Sequence, residues 1–91
     1  MEVQRLIAEG QFFITRVALD GAFALGFDEE SIRECVCDFL DDTHFYKTMA
    51  AEKGKSGLMQ DVYRITYENQ PIYLKLQISE EHVVVVSFKA E

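Results

Sequence analysis

The chain has no tryptophan, one proline and two cysteines in its 91 residues. Cys35 and Cys37 stand one residue apart. On a helix they point in different directions, a poor geometry for an internal disulfide. There is no C-x-x-C pair, so the usual zinc signature is missing. The two thiols read as buried or half-buried packing groups in a reducing compartment. Long apolar runs are missing as well. None approaches the roughly 20 residues a membrane helix needs. The opening M-E-V-Q-R-L-I-A-E-G is too short and too amphipathic for a signal peptide. The expected compartment is the cytoplasm, with no membrane partner. There is no P-loop, G-x-G-x-x-G, G-x-S-x-G or H-E-x-x-H. His44 and His82 are the only histidines; one follows a helix end, the other sits in a turn, and both read as surface residues.

What is present fits a single globular domain over residues 1–91, with 48% hydrophobic and 27% charged residues. The net charge of −7 is unevenly spread. Residues 1–43 hold three basic and ten acidic side chains; residues 44–91 hold six of each. The whole chain is no general polyanion binder. Its neutral second half still permits a local cationic site built from Lys47, Arg64, Lys75 and Lys89.

The pattern also changes character along the chain. Helices are expected over residues 1–10, 16–25 and 29–40. Thr15 and Asp28 are N-cap residues for the second and third. Ile32, Cys35, Val36, Phe39 and Leu40 recur at helical spacing. Residues 11–14 read as a short apolar link, with extended backbone as one option. Strands follow over residues 45–50, 58–67, 72–79 and 83–89, joined by a loop at 52–57 and by short turns, which implies antiparallel hairpins. The expected fold class is α+β: three N-terminal helices packed on a C-terminal antiparallel sheet.

Strand alternation sorts these residues further. Ile72, Leu74, Leu76 and Ile78 share one face and must be covered. Tyr73, Lys75 and Gln77 share the other. Aligning the apolar sets leaves an open face bearing Gln60, Arg64, Tyr73, Lys75, Ser87 and Lys89; the face on which Lys47 lies is not fixed by its own strand. Together with Tyr46, these residues make an anion site with no metal ligands. RNA phosphodiester cleavage can run on such groups, because the ribose 2′-hydroxyl is the nucleophile and the protein supplies geometry, proton transfer and charge stabilisation. DNA lacks that nucleophile, and no direct DNA binding is expected. A non-catalytic module that only binds a protein partner is the alternative.

F-Y-K-T-M (Phe45 to Met49), Q-D-V-Y-R (Gln60 to Arg64), Y-L-K (Tyr73 to Lys75) and V-S-F-K (Val86 to Lys89) resemble, in order and spacing, the motility quorum-sensing regulator (MqsR) toxins. T-R-x-A-L (Thr15 to Leu19) and Leu25-Gly26 fit as well, so the similarity spans nearly the whole chain. The resemblance implies the RelE-like toxin fold and a messenger-RNA-cleaving endoribonuclease of a type II toxin–antitoxin system, selective for GCU-type sites and needing no cofactor. It implies inhibition by a cognate antitoxin, an MqsA-like protein of zinc-binding or helix-turn-helix type. Carried over residue by residue, the catalytic positions are Lys47, Gln60, Tyr73 and Lys89, and Tyr46, Met49, Arg64 and Lys75 are the substrate-binding ones.

Overall fold

A computed structural model describes residues 10–50, 59–78 and 82–91, the side chain of Ala50 excepted. Its strands are β1 (Phe12–Ile14), β2 (Phe45–Ala50), β3 (Met59–Tyr67), β4 (Gln70–Ile78) and β5 (Val83–Ala90). They form one sheet in the order β1-β5-β4-β3-β2. Neighbours from β2 to β5 are antiparallel, whereas β1 runs parallel to β5. Helix α1 spans Arg16–Ala24, and α2 spans Glu29–Glu34 and continues as a π-helical turn over Cys35–Phe39.

This corrects the expectation of three helices on an antiparallel sheet. The described residues hold two α-helices and a mixed five-stranded sheet. The expected first helix lies outside the described residues except for Gly10, as does the loop at 52–57. The short apolar link is the missing strand. Phe12 is buried, Phe13 exposed and Ile14 half-buried, the alternation of a strand laid against β5. Three residues are too few for that period to show in sequence.

The core lies on one face of the sheet. Tyr63, Ile65 and Tyr67 of β3, Ile72, Leu74 and Leu76 of β4, and Val83, Val85 and Phe88 of β5 meet Ala18 and Ala22 of α1 and Ile32, Cys35 and Val36 of the second helical segment. Each fully buried aliphatic or phenyl side chain contributes about 1.5–3 kcal/mol. Burial pushes the Cys35 thiol and the Tyr63 and Tyr67 phenols up to about 12, so all three stay neutral across the physiological range.

Three local devices seat the helices and set the strand register. The first is Thr15, whose hydroxyl accepts from Ala18 N–H at 3.1 Å and donates to Val86 O at 3.0 Å, while its own N–H donates to Val85 O at 3.1 Å. One residue thus caps α1 and fastens it to β5. The second is Gly21, on the face of α1 against β5. A Cβ there would run into the carbonyl oxygen of Phe88 and lie 3.4 Å from Lys89 Cβ. Only a bare Cα lets the helix approach so closely. The third is the Tyr67–Gln70 hairpin. Glu68 (φ 49°) and Asn69 (φ 67°) both adopt positive φ, as a two-residue type I′ turn requires. The turn is shorter than the sequence indicated, because Gln70 and Pro71 already belong to β4. Gln70 Nε2 donates to Leu25 O at 3.2 Å and ties the hairpin to the end of α1.

Two stability outcomes follow. Gly21→Ala is expected to destabilise by about 1–3 kcal/mol through overpacking, read as a lowered midpoint in denaturant unfolding. Glu68→Asn with Asn69→Gly is expected to raise stability by up to about 1 kcal/mol, since a left-handed Glu costs about that much; thermal unfolding checks it.

Candidate functional site

The face opposite the core is laid out in rows across the strands. The first runs from Arg64 on β3 to Tyr73 on β4 and Lys89 on β5. The second runs from Lys47 on β2 through Val62 and Lys75 to Ser87. The third runs from Met49 through Gln60, Gln77 and Val84 to Phe13 on β1. Neighbouring rows are two residues apart along β2, β3 and β4, which is about 7 Å; on β5 a register shift at Val86 sets Val84 and Ser87 three apart.

Tyr46 joins this face through a register shift. The ladder between β2 and β3 pairs Phe45 with Tyr63 and Lys47 with Val62, leaving Tyr46 as the extra residue. Phe45 turns to the core side, where its ring lies edge-on to Tyr63 at 5.8 Å. Tyr46 instead meets the cations. The Arg64 guanidinium stands 4.8 Å from its ring centre and the Lys47 ammonium 5.5 Å. Tyr73 has the same arrangement, with Lys89 at 5.2 Å and Lys75 at 5.9 Å. Each phenol is therefore bracketed by two positive charges, drawn to its ring by the quadrupole.

The structure thus brings Lys47, Gln60, Tyr73, Lys89, Tyr46, Met49, Arg64 and Lys75 onto one face, including Lys47, which parity alone left unassigned. Among the described residues no carboxylate pairs with Lys47, Lys75 or Lys89. Arg64 differs: its Nε donates to Glu91 Oε2 at 2.6 Å. Gln60 is the one buried polar or charged residue among those described, and its Nε2 donates to Gln77 Oε1 at 3.1 Å.

His44 lies apart from these rows, at the start of β2. Its Nδ1 accepts from the Asp41 N–H at 3.1 Å, and its ring stacks on Phe39 at 6.3 Å. The sequence reading placed Gln77 on the face of Tyr73 and Lys75 without giving it a role, and it overlooked Glu91. Gln77 shares the parity of Tyr73 and Lys75, but its partnership with Gln60 requires the register. Glu91 carries no motif, and its role is visible only as a distance.

An open sheet face bearing phenols, amides and lysines can hold a phosphodiester by its anionic oxygens. Residues 1–90 match the family described as "Motility quorum-sensing regulator, toxin of MqsA". Over 88 residues the chain is 34% identical to the mRNA interferase toxin MqsR of Escherichia coli (strain K12), an alignment covering 97% of this chain and 87% of that protein. The chain belongs to the MqsR toxin family.

The Arg64–Glu91 pair can be tested by its effect on charge. Glu91→Gln is expected to free Arg64 and steepen the salt dependence of binding to a single-stranded oligonucleotide by up to about 0.7 in the log–log slope, the value for one more phosphate neutralised. Lys47→Ala should make that slope shallower by about as much. Fluorescence titration of a labelled, uncleavable oligonucleotide over a range of salt checks both.

Proposed function

We propose that this protein is the toxin of a type II toxin–antitoxin pair and acts as an endoribonuclease on single-stranded messenger RNA, without a metal or other cofactor. The observation that carries the reading is the gathering of Lys47, Arg64, Lys75 and Lys89 around two tyrosines on one sheet face of a chain whose net charge is −7. Selection for a cationic surface is the simplest reason for such segregation in an acidic protein.

In the proposed reaction the ribose 2′-oxygen attacks the adjacent phosphorus. The O2′–P bond forms as the 2′-hydroxyl loses its proton, and the P–O5′ bond breaks as the 5′-oxygen gains one. The products are a 2′,3′-cyclic phosphate and a 5′-hydroxyl. Tyr73, in the middle of its row, orients the scissile phosphate and handles a proton. Lys47, Arg64 and Lys89 stabilise the charge that builds on the phosphoryl oxygens. Gln60 positions phosphate or base, and Tyr46, Met49 and Lys75 hold the strand. The family supports two further parts of the reading: cleavage at GCU-type sites, and silencing by an MqsA-like antitoxin of zinc-binding or helix-turn-helix type. A cytoplasmic site of action agrees with the substrate; among the described residues no helix is long and apolar enough to cross a membrane.

Incubation with single-stranded RNA in EDTA tests the reading. The wild-type protein is expected to cut, with fragment masses showing cyclic phosphate ends, and a 2′-deoxy substitution at the cut site to block the reaction. Tyr73→Phe should slow cleavage by about 10²–10⁴-fold if the phenol moves a proton. RNA left intact by the wild type, or cut equally well by Lys47→Ala and Tyr73→Phe, would overturn the assignment.

A further inference from the structure

The row that crosses all five strands contains more than the catalytic reading uses. It runs Met49, Gln60, Gln77, Val84, Phe13. Phe13 reaches it only because β1 pairs in parallel with β5, which sets Phe13 opposite Val84. Its neighbours Phe12 and Ile14 turn to the core, while Phe13 remains 49% exposed. The Phe13 ring lies 5.6 Å from that of His82, tilted by 44°. A flat ring is thus held at the open face, next to Val84 and the His82 imidazole.

Two and three strands away, about 10 and about 14 Å across the sheet, stand Gln77 and Gln60, joined as an amide pair. One hydrogen bond joins the two side chains, from Gln60 Nε2 to Gln77 Oε1. It fixes both amides and leaves Gln60 Oε1 to accept and Gln77 Nε2 to donate. One acceptor and one donor are what a nucleobase edge needs in complement, the same two functions a single Gln amide offers adenine. The charges fit the same ligand. The next row, about 7 Å away, carries Lys47 and Lys75, and the one beyond it carries Arg64 and Lys89. A strand whose phosphates follow the cationic rows would lay its bases along the amide row. Unpaired RNA bases are recognised in this way, splayed, stacked on aromatics and bonded at their edges.

We propose that the Gln60–Gln77–Val84–Phe13 row is a nucleobase-binding strip for single-stranded RNA, in which Phe13 stacks one base and the Gln60–Gln77 pair reads the edge of another. The strip rests on the ribonuclease reading above and adds to it a specificity-determining residue, Gln77, and a stacking platform, Phe13. Gln77 contributes both by aiming Gln60 and by offering its own amide. Phe13 contributes affinity with little regard to sequence, because every base has a π-face.

The test measures kcat and KM on one substrate and maps cut sites across a pool of random single-stranded RNA. Phe13→Leu keeps the apolar bulk and removes the ring. It is expected to raise KM by about 5- to 100-fold, with the loss in KM rather than kcat, and Phe13→Tyr to restore it. Gln77→Leu is expected to relax the base preference at one position of the cut-site profile by about 5-fold or more. A packing defect alone would lower the unfolding midpoint without changing which base is preferred. If the wild type cuts RNA while Phe13→Leu keeps its KM and Gln77→Leu keeps its profile, the strip is wrong and the nuclease reading stands. The same holds if Phe13→Leu weakens only antitoxin binding. If the wild type neither binds nor cuts RNA, both readings fall together.

Discussion

A register error of one residue between β3 and β4 would invert one strand against the other: either Arg64 would turn into the core and Ile65 out of it, or Tyr73 and Lys75 would turn in and Ile72 and Leu74 out. Side chains alternate with a period of two, so no intermediate arrangement exists. The polar face therefore depends on the alignment that pairs Tyr67 with Gln70. That alignment is set by two residues, Glu68 and Asn69, in left-handed backbone. Glutamate is a poor residue for this conformation, and the buried apolar row behind it compensates. A slip would cost the burial of several aliphatic side chains at about 1.5–3 kcal/mol each, far more than the turn loses. The same apolar burial that stabilises the sheet thus fixes the spacing of the cations on its other side.

The helical layer is tied to the sheet with little slack. Thr15 spends its backbone N–H and its hydroxyl on two successive carbonyls of β5, and Gly21 rests against a third. Lys89 follows that third carbonyl directly. Any side chain at position 21 would push on the strand next to a cation of the face, so packing on one side of β5 and placement on the other are not independent. The acidic surplus falls within residues 1–43 of the sequence, and among the described residues Glu91 is the acid that pairs with a cation of the open face.

Much of this was legible from residue order. The caps at Thr15 and Asp28 are where their side chains suggested, each accepting the expected backbone N–H. Parity grouped Gln60, Arg64, Tyr73, Lys75, Ser87 and Lys89, because β3 and β4 are long enough to show their period; on β5 a register shift at Val86 reverses the alternation, so that Val83 and Val85 lie in the core although Ser87 and Lys89 share the open face. Three things were not legible, each for a physical reason. The strand at Phe12–Ile14 is defined by its partner β5, which lies about seventy positions further on (71 for the Thr15–Val86 contact), and a local pattern carries no trace of such a contact. The face of Lys47 depends on a bulge, which changes parity within a strand without any residue-type signal. The π-helical turn at Cys35–Phe39 keeps the same apolar spacing as an α-helix over so short a stretch, so only the Leu40 N–H to Cys35 O bond distinguishes it.

The parallel pairing of β1 with β5 also has a consequence for the order of assembly during synthesis. β5 follows every other strand in the chain, yet it is an inner strand, flanked by β4 and β1. Until it is in place, β1 has no neighbour, α1 has nothing to dock on, and Lys89 and Ser87 are missing from the face. Contacts of such long sequence separation form late. A nascent chain in which β5 is not yet made would therefore carry no finished face. For a protein whose proposed target is messenger RNA, the topology ties the finished face to the completion of β5.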